Sequence, residues 1–85
     1  MPYEFKLPPL SERTEEGVVV AWFKREGAEV REGEPIVEVQ MEKVSYEVEA
    51  PVDGLLHKIL APKDTVVRVG DVLAILLEPG EEAVP

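Results

Sequence analysis

Ile36-Val-Glu-Val-Gln-Met-Glu-Lys-Val-Ser-Tyr-Glu-Val-Glu-Ala50 is the stretch that decides the fold. Val37, Val39 and Met41 alternate with Glu38, Gln40 and Glu42. Then the phase slips, and Val44, Tyr46, Val48 and Ala50 alternate with Ser45, Glu47 and Glu49. Side chains of a strand point to its two faces in turn, so a slip of phase marks where the chain reverses. A two-residue loop at Glu42-Lys43 pairs Met41 with Val44, Val39 with Tyr46 and Val37 with Val48. These pairs are expected to share one buried face, leaving Glu38, Gln40, Ser45 and Glu47 on the solvent face. Lys43 lands on the tip. Asn-Gly or Asp-Gly would accept the positive φ of a tight hairpin at lower cost than Glu-Lys. Either the turn is of a less demanding type, or something other than folding selects these two residues.

Outward from this hairpin the chain keeps the same character. Short β-rich runs at Tyr3–Leu7, Val18–Phe23, Ile36–Met41, Val44–Ala50, Leu55–Leu60, Thr65–Val67 and Val72–Leu77 are separated by Gly, Pro and Asp, and no segment sustains helical spacing. The expectation is an all-β sandwich or flattened barrel of two antiparallel sheets. Gly17 and Gly54 are 37 positions apart, as are Gly33 and Gly70. At that offset Val18 matches Leu55, Val19 matches Leu56, Trp22 matches Ile59 and Phe23 matches Leu60. Farther on, Val30 matches Val67, Arg31 matches Arg68, Glu34 matches Asp71, Ile36 matches Leu73 and Val39 matches Leu76. An ungapped repeat of this kind predicts two sheets related by a pseudo-two-fold axis, each completing the other's core. Residues 1–78 read as one domain. Residues 79–85, acidic and proline-containing with little to bury, read as the start of a flexible linker to something longer.

Bulk properties narrow the functional classes. With 85 residues the chain holds one small domain, and with no cysteine it has neither disulfides nor a thiolate metal site. Sulfur chemistry would have to arrive on a cofactor. The net charge of −9 disfavours nucleic acid and anionic membrane surfaces, since binding phosphate requires the opposite sign. No apolar run has transmembrane length, and the N-terminus lacks the pattern of a signal peptide, so a cytoplasmic location is expected.

The segment Val39-Gln-Met-Glu-Lys-Val-Ser-Tyr-Glu-Val-Glu-Ala-Pro-Val-Asp-Gly54 resembles the attachment hairpin of lipoyl domains. In that family an acidic residue precedes the modified lysine, a small or apolar residue follows it, and Pro-x-x-Gly closes the second strand. Glu42, Lys43, Val44 and Pro51-Val-Asp-Gly54 fit this pattern. Phe5-Lys-Leu-Pro8, Glu16-Gly17 and Trp22 resemble the opening of the acyltransferase component of 2-oxoacid dehydrogenase complexes, and the resemblance runs over residues 2 to 78. Two features depart from the family. Glu42 stands where Asp is usual, and Leu10-Ser-Glu-Arg-Thr-Glu-Glu-Gly17 replaces a loop that usually carries Gly-Glu-Gly. In the family that loop lies near the lipoyl hairpin and helps partner recognition.

The resemblance implies a carrier rather than an enzyme: lipoate, joined as an amide to Lys43, on a domain whose acyltransferase catalytic core is not in this chain. It further implies modification by a lipoate ligase or a lipoyl/octanoyl transferase. The lipoyl group would be reductively acylated by a thiamine-diphosphate 2-oxoacid decarboxylase. It would then deliver the acyl group to coenzyme A at the acyltransferase core, and be reoxidised by a flavin dihydrolipoyl dehydrogenase. In such a cycle the cofactor carries the chemistry while the protein attaches and presents it.

Other residues carry weaker signals. The single histidine, His57, lies within a strand and reads as partly packed or solvent-facing. Trp22 reads as packing, being matched to Ile59 by the repeat. Glu38, Glu42, Glu47 and Glu49 read as a solvated acidic face, with partner recognition a second use; no catalytic or metal-binding set is expected. A biotin carrier shares the fold and the lysine-to-proline spacing, but biotin carriers flank their lysine with methionine on both sides. Here the neighbours are Glu42 and Val44, and Met41 comes one place too early. An unmodified hairpin module of the periplasmic-adaptor type would be inserted between long helices and follow an export signal, neither of which is seen.

Overall fold

Alternating apolar residues in eight short segments pair into two four-stranded antiparallel sheets that face each other as a sandwich. The computed structural model describes residues 2–79. Met1 and residues 80–85 lie outside the described residues, and with them all but the first residue of the expected linker. The strands are β1 (Tyr3–Lys6), β2 (Glu16–Trp22), β3 (Glu29–Val30), β4 (Pro35–Met41), β5 (Val44–Glu49), β6 (Gly54–Ile59), β7 (Val66–Arg68) and β8 (Val72–Leu77), with no helix among the described residues. One sheet has the order β1-β8-β6-β3 and the other β5-β4-β2-β7. Val19, Ile36, Val39, Leu56, Leu73 and Leu76 are wholly excluded from solvent between the sheets.

The 37-residue repeat reappears as a repeat of hydrogen bonds. Val19 pairs with Val39, and Leu56 with Leu76; each pairing is broken by an irregularity in the following residue, between Val19 and Ala21 and between Leu56 and Lys58. Gly33 N–H donates to the Ala50 carbonyl at 2.8 Å, and Gly70 N–H to the Leu7 carbonyl at 2.9 Å. Arg31 N–H donates to the Glu34 carboxylate at 3.1 Å, and Arg68 N–H to the Asp71 carboxylate at 2.8 Å. The Glu34 carboxyl also pairs with Lys24 Nζ at 2.9 Å; that bond first, and the Arg31 N–H second, hold its pKa below the usual carboxylate value.

The matched glycines of the repeat have a steric reason. A Cβ on Gly17 would lie 2.8 Å from the Gln40 carbonyl oxygen and from Met41 Cγ. On Gly54 it would collide with the Leu77 carbonyl. At both places β2 or β6 passes a neighbouring strand too closely for a side chain.

Two expectations need correction. The seven strands read from the sequence are eight among the described residues, because Glu29–Val30 forms β3, and several ends shift by one or two residues: β2 begins at Glu16, β6 at Gly54, and β7 runs Val66–Arg68. Nor is Val44 buried, although it lies opposite Met41 on the predicted face. Along β5, Val48 is 4% exposed, Tyr46 is half-buried and Val44 is 50% exposed, so the strand emerges from the core as it nears the turn. Val48 is buried on the same edge strand, so the exposure of Val44 marks where the facing layer ends near the turn.

The halves do not each form a sheet. β3, from the first half, pairs with β6, and β7, from the second, pairs with β2. Each half therefore lends the other its edge strand.

Candidate functional site

The β4–β5 hairpin has the register its alternation predicts: Met41 opposite Val44, Gln40 opposite Ser45, Val39 opposite Tyr46, Glu38 opposite Glu47 and Val37 opposite Val48. Met41, Val39 and Val37 are buried and anchor the hairpin to the core. Glu42 and Lys43 form the turn. Glu42 has φ 58° whereas Lys43 has no positive φ, the φ pattern of a two-residue hairpin loop whose first position normally holds glycine. Gln40 Nε2 donates to the Glu42 carbonyl at 3.4 Å, a long bond bracing the peptide just before Lys43.

Lys43 is exposed, and among the described residues it makes no hydrogen bond or ion pair. Its amine is therefore free to be acylated, and the half-exposed Val44 beside it offers an apolar neighbour to an uncharged arm. By the chemistry of its side chains the tip fits an amide-linked group. The other four lysines differ in setting: Lys24 is tied to Glu34 and Lys6 lies 3.9 Å from Glu4, while Lys58 lies on β6 and Lys63 in the loop after it.

Two grooves flank the tip. The first is lined by Leu10, Ser11, Glu12 and Arg13 on one side and by Met41, Glu42, Lys43, Val44 and Tyr46 on the other. The loop after β1 thus lies against the hairpin, as the resemblance implied. Local bonds shape that loop: Arg13 N–H donates to Ser11 Oγ at 3.1 Å and Glu16 N–H to Thr14 Oγ1 at 3.1 Å. The second groove crosses the outer sheet face and is lined by Glu16, Gly17, Val18, Gln40, Glu42 and Val66.

The remaining candidates are scattered. Trp22 is half-buried, packs against the core, and donates from Nε1 to the Ala61 carbonyl at 2.8 Å, a supporting role far along the sheet from the tip. His57 is half-buried at the irregularity of β6. Glu38 and Glu47 face each other across β4 and β5, and among the described residues no three acidic or histidine side chains converge as a metal site. Sequence reasoning left open the turn type, which proves to have a left-handed Glu42, and missed the wall formed by Leu10 and Tyr46. Neither leaves a periodic signal in the sequence, since one is a single dihedral and the other a contact between distant segments.

The profile of the Biotin_lipoyl family, described as biotin-requiring enzyme, matches residues 3–76. The chain belongs to the biotin/lipoyl attachment-domain family. Among its relatives, the dihydrolipoyllysine-residue acetyltransferase component of the pyruvate dehydrogenase complex of Rickettsia conorii is 41% identical over 83 residues, covering 96% of this chain and 20% of that protein. The component of the same name from Staphylococcus epidermidis is 37% identical over 82 residues, covering 96% of this chain and 19% of that protein. The chain thus spans about a fifth of the length of these curated relatives. Among solved structures, the lipoyl domain of the 2-oxoglutarate dehydrogenase complex from Azotobacter vinelandii matches with a TM-score of 0.70 and 34% identity, covering 87% of this chain and 94% of that one. A single-chain, multi-domain long-chain acyl-CoA carboxylase matches with a TM-score of 0.75 and 22% identity over 91% of this chain and 7% of that one, a likeness of fold alone. Within the attachment-domain family, the chain is similar to the lipoyl domain of an acyltransferase component along nearly its whole length.

Proposed function

We propose that this domain carries a lipoyl group as an amide on Lys43 and shuttles it between active sites of a 2-oxoacid dehydrogenase complex. The observation that carries the reading is the unpartnered, exposed amine of Lys43 at the end of a hairpin anchored by buried Val37, Val39 and Met41. A rigid stem keeps the amine at a fixed place for the modifying enzyme, a lipoate ligase or a lipoyl/octanoyl transferase. The exposed tip lets that place enter a partner's cleft. When bound, the lipoyl group supplies a dithiolane that accepts an acyl group and two electrons at one active site, gives up the acyl group at a second and the electrons at a third. The chain itself attaches, orients and exposes that group, and tethering raises its local concentration at each partner. The partners in this reading are a 2-oxoacid decarboxylase, the acyltransferase core and dihydrolipoyl dehydrogenase.

Co-expression with a lipoate ligase followed by intact-mass and peptide analysis tests the assignment. One lipoyl amide is expected, on Lys43, and none in Lys43→Ala. The substitution should leave stability within about 0.5 kcal/mol of the parent, as for other exposed positions. Modification retained in Lys43→Ala at Lys6, Lys24, Lys58 or Lys63 would overturn it. Efficient acceptance of biotin from a biotin ligase would move the domain to the biotin branch.

A further inference from the structure

The groove between the loop after β1 and the hairpin tip has an apolar floor that the attachment of a cofactor does not by itself require. Met41 and the half-buried Leu10 and Tyr46 form it, and Val44, 50% exposed, forms its lip. Lys43 lines the same groove, so an arm joined to its amine is within reach of it. We propose that the groove is an intramolecular resting site for the acyl arm, and that the arm on Lys43 lies back against Leu10, Val44 and Tyr46 when no partner is engaged. The inference rests on attachment at Lys43.

Charge makes such docking dependent on modification. A free lysine ammonium is strongly hydrated and gains nothing from an apolar wall, whereas an amide has no charge and its alkyl chain does gain. The walls are set in advance. Leu10 and Tyr46 pack against the core, and the loop is braced by the Ser11 and Thr14 bonds, so docking orders little besides the arm. The second groove is the worse host. Lys43 does not line it, and its large apolar side chains are Val18 and Val66 alone, against Leu10, Met41, Val44 and Tyr46 in the first.

The test uses the whole chain, labelled with ¹⁵N and ¹³C and octanoylated at Lys43 by a lipoate ligase. Octanoate serves as a redox-inert fatty acyl probe, and its position is checked by peptide mass. Relative to the unmodified domain, amide shifts are expected at Leu10–Arg13 and Tyr46 as well as at the turn, with nuclear Overhauser contacts from arm methylenes to the Leu10 and Val44 methyls. Val44→Ser, at a half-exposed position, should reduce the shifts at Leu10–Arg13 at least twofold while the rest of the spectrum is retained. Leu10→Ser should weaken the contacts to Val44 to a similar degree. Shifts confined to Glu42–Val44 would overturn the groove while leaving attachment intact, and so would shifts appearing at Val18 and Val66 instead. Octanoyl on another lysine would overturn both.

Discussion

At Glu42 the backbone takes up a left-handed conformation, φ 58°, that costs a residue with a Cβ about 1–2 kcal/mol relative to glycine's freedom there. A glycine would also loosen the unfolded chain, at a cost of about 0.5–1 kcal/mol. The balance predicts that Glu42→Gly stabilises the domain by roughly 0.5–1 kcal/mol, read as a higher urea midpoint at unchanged slope. A lower midpoint would mean that the Glu42 side chain holds the turn through contacts of its own. A strained residue next to the candidate attachment site is the pattern expected where presentation of a side chain, rather than stability, selects the turn. Peptide mass spectra of the same variant, treated with lipoate ligase, would show whether the strained geometry matters to the modifying enzyme.

At the scale of strands, the closest fits are where β2 and β6 pass their neighbours at Gly17 and Gly54. Gly54→Ala drives a Cβ into the backbone carbonyl of Leu77, which cannot swing aside, whereas Gly17→Ala meets the Gln40 carbonyl and the movable Met41 side chain. Overpacking ordinarily costs about 1–3 kcal/mol. Gly54→Ala is therefore expected at or above about 3 kcal/mol and Gly17→Ala at about 1–2, both measured by urea unfolding. A reversed order would show that the β6–β8 contact yields more easily than its twin. These glycines were legible in the sequence as members of a repeat, and the hairpin register was legible from the alternation, because both are periodic. Strand β3 was not, since two residues, Glu29 and Val30, are too few to show a period and exist as a strand only through pairing with Leu55 and Gly54. The exposure of Val44 was equally hidden. Alternation says which side of a strand a residue faces, and the end of the facing layer is a property of the assembled sandwich.

Across the whole molecule the consequence of the repeat is mutual dependence. β3 leaves the first half to pair with β6, β7 leaves the second to pair with β2, and β1 pairs with β8 at the far end of the sequence. A fragment of residues 1–50 keeps only the β2–β4–β5 sheet. Its β1 and β3 lose their partners, and Val19, Ile36, Val39 and Met41 lose the facing layer of Leu56, Leu73 and Leu76. A domain of this size has little stability to spare even when whole. The fragment is therefore expected to be unfolded, with narrow amide dispersion and the emission of a water-exposed Trp22. The complementary fragment, residues 51–85, brings back both the missing sheet and the Ala61 carbonyl that accepts from Trp22 Nε1. Joining two pieces loses the advantage of one chain, an effective concentration of about millimolar. At a stability of about 4 kcal/mol for a chain of this size, that concentration divided by the folding constant is about micromolar. Complementation is thus expected once the fragments are mixed above about that level, and the blue shift of Trp22 emission should follow the return of amide dispersion. A folded 1–50 fragment would mean that the repeat units are self-sufficient, and that the exchange of β3 and β7 adds edge strands to a core already closed.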